Sequence, residues 1–186
     1  MLINFRDYPH SVSTDNLAGA QQAIEHLVQL GHRRIAYVSN CHSYRTNLDR
    51  LDGYEAVLAK HDIPVEQAMH GEGDGTLEGG LGSVRQLLAL SSPPTAVFCF
   101  NDVTAMGVLR GLNAAGRRVP DDCSVVGFDD LDMVAYYCPP LTTVRQPSYR
   151  LGQCAMRMLL QLIQGREDVE AEVLPAKLVV RETTGP

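Results

Sequence analysis

The chain alternates short apolar runs with longer segments in which apolar residues recur every three or four positions. The first pattern is typical of buried strands, and the second is typical of amphipathic helices. Their alternation predicts an α/β fold, a parallel sheet with helices on both faces. The predicted strands are 35–38, 65–70, 96–100, 124–128, 142–144 and 178–180, and the predicted helices are 16–30, 47–60, 77–90, 102–115 and 148–164.

Helix signals flank the first of these helices. Ser13, Thr14 or Asp15 supplies its N-cap, and Gly31 stops it. The last helix, 148–164, has no obvious partner helix in the predicted order, and the first residues run into a turn instead of a strand–helix unit. This imbalance predicts that the chain is part of a longer protein.

Two apolar strands end abruptly in polar residues. Asn101 and Asp102 follow 96–100, and Asp129 and Asp130 follow 124–128. Ligands of open parallel sheets bind outside the carboxyl ends of the strands. As the first polar residues after their strands, Asn101 and Asp129 are predicted to face that crevice. Asp102 is expected to cap the next helix, and Asp130 is expected to be a loop cap.

Two arginines, Arg45 and Arg50, follow the 35–38 strand. A guanidinium presents a fork of donors, and amides and carboxylates both bind hydroxyl groups, so these residue types together would suit a sugar. Spacing alone leaves the choice open between binding residues and ordinary surface arginines.

Composition and charge exclude several classes of function. The formal net charge is −6 and the pI about 5.4, which disfavours direct binding to nucleic acid. Five scattered cysteines without C-x-x-C spacing indicate a reduced, cytoplasmic protein. The sequence shows no signal peptide and no apolar run near the roughly 20 residues of a membrane span.

Catalysis and cofactor binding receive no support from the sequence. The six histidines lack metal-ligand spacing, and no nucleophile signature is present, so neither an enzyme nor a cofactor is predicted. The glycine-rich stretch 71–80 does not fit a phosphate-binding pattern, and its three carboxylates would repel an anion. It is expected to be a loop that moves or passes close to a ligand.

Blocks along nearly the whole chain, in order, resemble the lactose/galactose repressor (LacI/GalR) family of transcriptional regulators. They are VSTDNLAGA at 12–20, HL at 26–27, LGHRRIA at 30–36, RLDGY at 50–54, PTAVF at 94–98, ND at 101–102, VP at 119–120, SVVGFDD at 124–130, PPLTTV at 139–144, QP at 146–147 and RETT at 181–184.

The resemblance implies a bacterial regulator whose effector-binding domain has the periplasmic-binding-protein fold, in which two lobes close on a sugar or nucleoside. Transferred by position, the family's effector contacts fall on Arg50, Asn101, Asp129 and Gln146. Asn4 falls where many members have an aspartate. The resemblance also implies a homodimer, through the helix 102–115 and the region 133–138, and operator binding by a helix-turn-helix head that this chain lacks.

By the same resemblance, residues 1–12 are a remnant of the amino-terminal lobe and 13–146 form the carboxyl-terminal lobe. Residues 147–174 are a helix and segment of the amino-terminal lobe, and 175–186 are the final strand and tail of the carboxyl-terminal lobe. Most of the amino-terminal lobe would then lie outside this chain.

The sequence departs from the family in a way that leaves the ligand class open. Some sugar-binding members stack aromatic rings on the ligand from the positions of Gly75 and Ser148. Tyr149 is adjacent to one of them, and Tyr44 and Phe128 are the other aromatic candidates. Two further hypotheses are a sugar-binding protein of a transport system, which shares the fold, and a sugar- or nucleotide-processing enzyme.

Overall fold

The structure is a computed structural model, and it describes residues 2–4, 8–41, 45–166 and 168–186. Its helices are α1 (Asn16–Gln29), α2 (Arg45–Lys60), α3 (Leu77–Leu88), α4 (Asp102–Ala114) and α5 (Ser148–Ile163). Its strands are β1 (Leu2–Ile3), β2 (Ser11–Thr14), β3 (Ile35–Asn40), β4 (His70–Gly73), β5 (Ala96–Cys99), β6 (Ser124–Asp129), β7 (Thr142–Arg145), β8 (Glu172–Leu174) and β9 (Lys177–Val179).

The larger of two sheets has six strands in the order β4-β3-β5-β6-β7-β9. All of its neighbouring pairs are parallel except β7 and β9, which are antiparallel. Alternate strand residues point to opposite faces. Tyr37 and Phe98 pack against α1 and α2 on one face, whereas Val38 and Val97 pack against α3 and α4 on the other. The predicted α/β class, with helices on both faces, is therefore confirmed.

The smaller sheet has three parallel strands in the order β1-β2-β8. Helix α5 packs on it through Leu151, Ala155 and Met158, which belong to the same buried apolar cluster as Val12 of β2. None of these three strands was predicted. Strand β2 reads Ser-Val-Ser-Thr, without an apolar run, and the other two have only two and three residues. The predicted division into lobes remains a prediction.

Within the described ranges, the chain passes between the two sheets three times: from β2 into α1, from β7 into α5, and from β8 into β9. The first and third passages are joined by the Asp15 amide, which donates to the Leu174 carbonyl oxygen at 2.8 Å. Asp15 also caps α1, since its Oδ1 accepts from the Ala18 amide at 3.0 Å. One of the three predicted N-cap candidates is therefore confirmed.

Strand β4 lies at 70–73, later than the predicted 65–70, where the chain instead forms a 3-10 helix over Gln67–Met69. The strand contains two glycines because its neighbours are close. A Cβ at Gly71 would lie 3.1 Å from Ser83 of α3 and 3.2 Å from Val38 of β3. The glycine-rich stretch 71–80 therefore contains the end of β4 and the beginning of α3 as well as a short loop. This corrects the expectation that the whole stretch is a loop.

Candidate functional site

Arg50 is a buried arginine near the middle of α2, only 3% exposed. Its Nε and Nη2 donate to Asn16 Oδ1 at 3.0 and 2.9 Å, and its Nη1 donates to the carbonyl oxygen of Phe100. The guanidinium lies over the Phe128 ring, 3.6 Å from the ring centre, and 4.7 Å from that of Phe100. A cation held by three donated hydrogen bonds and two aromatic rings has a fixed orientation.

Desolvation lowers the pKa of Arg50, while the nearby carboxylate of Asp129 raises it. A guanidinium keeps its proton even in such a setting, because its charge is delocalised over three nitrogens. The site therefore contains a permanent buried positive charge that faces a carboxylate.

Asp129 ends β6 in a strained backbone conformation. Its φ is +125° and that of Asp130 is +57°, and residues other than glycine rarely adopt positive φ values. Asp130 is anchored by two ion pairs, to Arg145 at 2.5 Å and to Arg181 at 2.6 Å. Asp130 is therefore an ion-paired anchor, and the expectation that it caps a loop was wrong. Backbone strain of this kind is found mainly at functional sites.

The Asp129 carboxylate contacts two of the other predicted site residues. Gln146 Nε2 donates to its Oδ1 at 2.6 Å, and Arg50 Nη2 lies 3.8 Å from the same oxygen. Burial raises the pKa of Asp129, whereas Arg50 and Gln146 lower it. Thr14 Oγ1 in turn donates to Gln146 Oε1 at 2.9 Å.

Asn101 lies at the carboxyl end of β5, next to the carbonyl that Arg50 binds. Its Oδ1 caps α4 by accepting from the Thr104 amide at 2.8 Å, and its Nδ2 donates to the Gly75 carbonyl oxygen at 3.1 Å. Asn101, and not Asp102, is thus the N-cap of this helix.

Asn40 is a further polar residue at this edge of the sheet, and it was not among the residues chosen from the sequence. It ends β3, beside β5 in the sheet, and a Cβ added at Gly75 would lie 2.9 Å from its Nδ2. Gly75 also has a φ of +81°, so a side chain there would be strained and crowded. The signal was available, because Asn40, like Asn101, is a polar residue at the end of an apolar strand.

Asp102 lies inside the protein, fully buried, and was wrongly expected to be the helix cap. Its Oδ1 accepts from Thr143 Oγ1 at 2.5 Å, and its Oδ2 accepts from the Leu131 amide at 2.8 Å. Gly127 leaves room for this carboxyl group, since a Cβ there would collide with Oδ1. Burial raises the pKa of Asp102 to about 7, although both hydrogen bonds act to lower it.

The remaining candidates have mixed outcomes. Asn4 lies next to the site, with a φ of +61° and its Oδ1 3.4 Å from the Thr14 amide. Arg45 is paired with Asp49 at 3.1 Å. Tyr44 lies outside the described residues. Phe128 cannot stack on a ligand, because it is fully buried under the Arg50 guanidinium.

The structure brings Arg50, Asp129 and Gln146 into one connected group, and Asn101 follows Phe100, whose carbonyl binds Arg50. The group combines a cation, a carboxylate and carboxamides at the carboxyl ends of neighbouring strands, which suits a ligand with several hydroxyls. Among the described residues, no group of three or more histidines, cysteines or acids could hold a metal ion. None of the described helices is long and apolar enough to cross a membrane.

Comparison with known proteins identifies the family. Residues 24–184 match the model of the periplasmic binding protein-like domain. The chain is 38% identical over 175 residues to the transcriptional repressor CytR of Escherichia coli. The matched region covers 94% of this chain and 51% of CytR. The chain thus spans about half the length of this relative.

Two solved structures of regulators have the same fold. A complex of the transcriptional regulator CelR with cellobiose has a TM-score of 0.90 and 35% identity, covering 94% of this chain and 54% of that one. A LacI family regulator from Enterococcus faecium with bound ribose has a TM-score of 0.89 and 35% identity, covering 95% and 65%. With the fold, these matches show that the chain belongs to the periplasmic binding protein-like domain family, and that it is similar to part of each of these transcriptional regulators.

Proposed function

We propose that this chain binds a sugar, or a related polyhydroxylated metabolite such as a nucleoside, through Arg50, Asn101, Asp129 and Gln146, and so controls operator binding by a helix-turn-helix segment outside the chain. The observation that carries the proposal is the buried Arg50 guanidinium, fixed beside a carboxylate on a strained backbone. Cellobiose and ribose in two regulators of the same fold support the ligand class.

The mechanism rests on differential binding. A ligand that contacts both lobes favours the arrangement in which its contacts are complete, and the gain in free energy shifts the population of arrangements. A typical coupling of about 1–3 kcal/mol would change operator affinity by roughly 5–150-fold. A transcriptional role places the protein's action in the cytoplasm. Asn4, near the passage between sheets, is proposed as a further contact.

Replacing Asp129 with asparagine is expected to weaken sugar binding by at least tenfold. The carboxylate accepts hydrogen bonds from hydroxyls more strongly than a neutral amide does, and the substitution also removes the charge that faces Arg50. The measurement is a thermal-shift screen of the parent chain with ribose, cellobiose and nucleosides, followed by calorimetric titration of both proteins. Ligand binding stabilises the folded state by RT ln(1 + [L]/Kd), so a tighter ligand at the same concentration raises the unfolding temperature further.

The matched control is Asp121→Asn, since Asp121 is exposed and its ion pair is with another surface residue, Arg118, at 3.1 Å. It removes the same charge outside the proposed site and is expected to leave sugar binding unchanged. Equal affinity of the parent and Asp129→Asn for a ligand that binds would contradict the role of Asp129. A screen with no stabilising sugar or nucleoside would contradict the proposed ligand class.

We also propose that the chain forms a homodimer through α4 and the 3-10 helix Asp132–Tyr136. Exposed apolar side chains project from this region, with Met133 57% and Tyr136 89% exposed. A groove of about 710 Å³ lies between Tyr136 and the end of α4, lined in part by Leu109, Val119 and Tyr137. A two-fold dimer suits an operator built from paired half-sites.

Replacing Tyr136 with aspartate is expected to convert the dimer to a monomer, because a charge would be buried in an apolar contact. Sedimentation velocity of the parent and variant is the measurement. Tyr149→Asp, which alters a similarly exposed tyrosine on α5 (81% exposed), is the control and should sediment like the parent. A parent chain that sediments as a monomer at tens of micromolar would overturn the dimer through this face.

A further inference from the structure

Five side chains around the site form a ring of contacts that begins and ends at Thr14. Thr14 Oγ1 donates to Gln146 Oε1, and Gln146 Nε2 donates to Asp129 Oδ1. Asp129 Oδ1 faces Arg50 Nη2, and Arg50 donates twice to Asn16 Oδ1. Asn16 Nδ2 then donates to the Thr14 carbonyl oxygen at 3.0 Å, which closes the ring.

Two members of the ring lie where the chain passes from the small sheet to the large one. Thr14 ends β2 and is 2% exposed, and Asn16 begins α1 and is 3% exposed. Gln146 lies on the second passage, between β7 and α5. The ring therefore connects two of the three passages between the sheets with the charged pair of Arg50 and Asp129.

The hydrogen-bonding capacity of each group fixes the orientation of the ring. The Asp129 carboxylate only accepts, so the amide nitrogen of Gln146 must face it, and the amide oxygen must then face Thr14. Thr14 holds that orientation through its hydroxyl, which donates to the amide oxygen. Asn16 acts in the same way on Arg50, because one amide oxygen accepts from two guanidinium nitrogens and holds the plane of the fork.

The ring has one long contact, the 3.8 Å between Arg50 Nη2 and Asp129 Oδ1, which exceeds hydrogen-bond distance. Among the described residues, Asp129 Oδ2 has no hydrogen-bond partner. A ligand hydroxyl could accept from Arg50 and donate to Asp129 at this place. The two residues are thus held near each other with hydrogen-bonding capacity left for a ligand.

We propose that Thr14 and Asn16 are positioning residues of the effector site, which orient Gln146 and Arg50 around Asp129 without touching the effector. The inference deepens the proposed function and rests on it, because it assigns roles at the same site. It predicts that effector affinity depends on two buried side chains in the passage between the sheets.

The deciding experiment follows the titration of Asp129 by NMR and needs no ligand. In Thr14→Val, which keeps the shape and deletes the hydroxyl, Gln146 loses its anchor and the pKa of Asp129 should rise, since the Gln146 hydrogen bond lowers it. Thr14→Ser restores a hydroxyl and should return the pKa toward that of the parent. The charged groups that act on this carboxyl, Arg50 and Asp102, are present in all three proteins.

The matched control is Thr104→Val, which deletes a buried hydroxyl that has no hydrogen-bond partner among the described residues. It is expected to leave the titration of Asp129 unchanged. Asn16→Ala provides a second test, since the freed Arg50 should stabilise the carboxylate less and the pKa should again rise. An Asp129 pKa that is the same in folded Thr14→Val, folded Asn16→Ala and the parent overturns the inference.

A binding experiment then separates this inference from the proposed function. For ribose or cellobiose, whichever binds the parent chain, Thr14→Val should weaken binding by about tenfold and Thr14→Ser should recover it. Unchanged affinity in Thr14→Val would count against positioning by Thr14. If no sugar or nucleoside of the screen binds the parent, the proposed ligand class fails, whereas the titration still decides whether the ring positions Asp129.

Discussion

Replacing Arg50 with methionine is expected to abolish effector binding and to lower the free energy of unfolding by about 3–5 kcal/mol, the usual cost of removing one partner of a buried charged pair. The substitution removes the donors of Asn16 Oδ1 and the Phe100 carbonyl, and it leaves Asp129 without its cation. Methionine fills part of the space over Phe128 but donates nothing.

Urea unfolding and calorimetric sugar titration measure the two effects of the Arg50 substitution. Arg85→Met is the control, because Arg85 is exposed on α3, and it should change stability by no more than about 0.5 kcal/mol. Arg50→Lys keeps the charge without the planar fork, so it should recover part of the stability and little of the binding. Parent-like unfolding of Arg50→Met would show that the buried fork is not a structural centre of the site.

The pH dependence of stability is expected to change when Asp102 is replaced with asparagine. In the folded protein the pKa of Asp102 is raised from 3.8 to about 7, so the folded state keeps a proton that the unfolded chain releases. Stability is therefore lost as pH rises through this window. Relative to the parent, Asp102→Asn should gain roughly 2–4 kcal/mol between pH 4 and pH 8, at 1.36 kcal/mol per pKa unit.

The comparison between parent and variant isolates the contribution of Asp102. Burial lowers the pKa values of His26 and His32, so their contribution has the opposite sign and is lost as pH falls below about 6.5. Those histidines are present in both proteins and cancel in the difference. Denaturant unfolding at pH 4, 6 and 8 is the measurement, with Asp121→Asn as the exposed control. A difference that stays constant with pH would show that Asp102 ionises normally.

The buried Asp102 also anchors the loop that begins at the end of β6, where Asp129 and Asp130 lie. Its two oxygens hold Thr143 of β7 and the amide of Leu131, which directly follows the two strained residues Asp129 and Asp130. The same loop continues into the 3-10 helix that carries Tyr136. A change at Asp129 therefore lies within a few residues of the proposed dimer surface.

The sequence was sufficient to predict the larger sheet and the helices on both of its faces. Tyr37 packs on one face of the sheet and Val38 on the other, and both environments are apolar. A strand buried on both faces is therefore apolar at successive positions, and such a run can be recognised in the sequence. The predicted helices match α1 to α5 to within a few residues, because amphipathic periodicity and caps such as Asp15 are local signals. Whether the lobe boundaries fall where the resemblance puts them remains a prediction.

The candidate site was only partly visible in the sequence. Asn101 and Asp129 could be chosen because they end apolar strands. Arg50 was a candidate from its position, with the choice left open until the resemblance to a known family favoured it, and Gln146 needed that resemblance. Asn16 resembled an ordinary residue at a helix start, and its contact with Arg50 joins positions 34 apart in the chain. Nothing within a few residues of Asn16 signals that contact.

By itself, the sequence determined the order of strands and helices and the polar ends of the strands, since these follow from the period of apolar residues along a short stretch. Only the tertiary structure decided that Asp102 is buried in the core while Asp129 remains in the candidate site. It also decided that Thr14 closes a ring of contacts through Gln146, 132 positions away. The physical reason is that hydrogen bonding and burial depend on which groups meet in space, and such meetings leave no periodic trace in the chain.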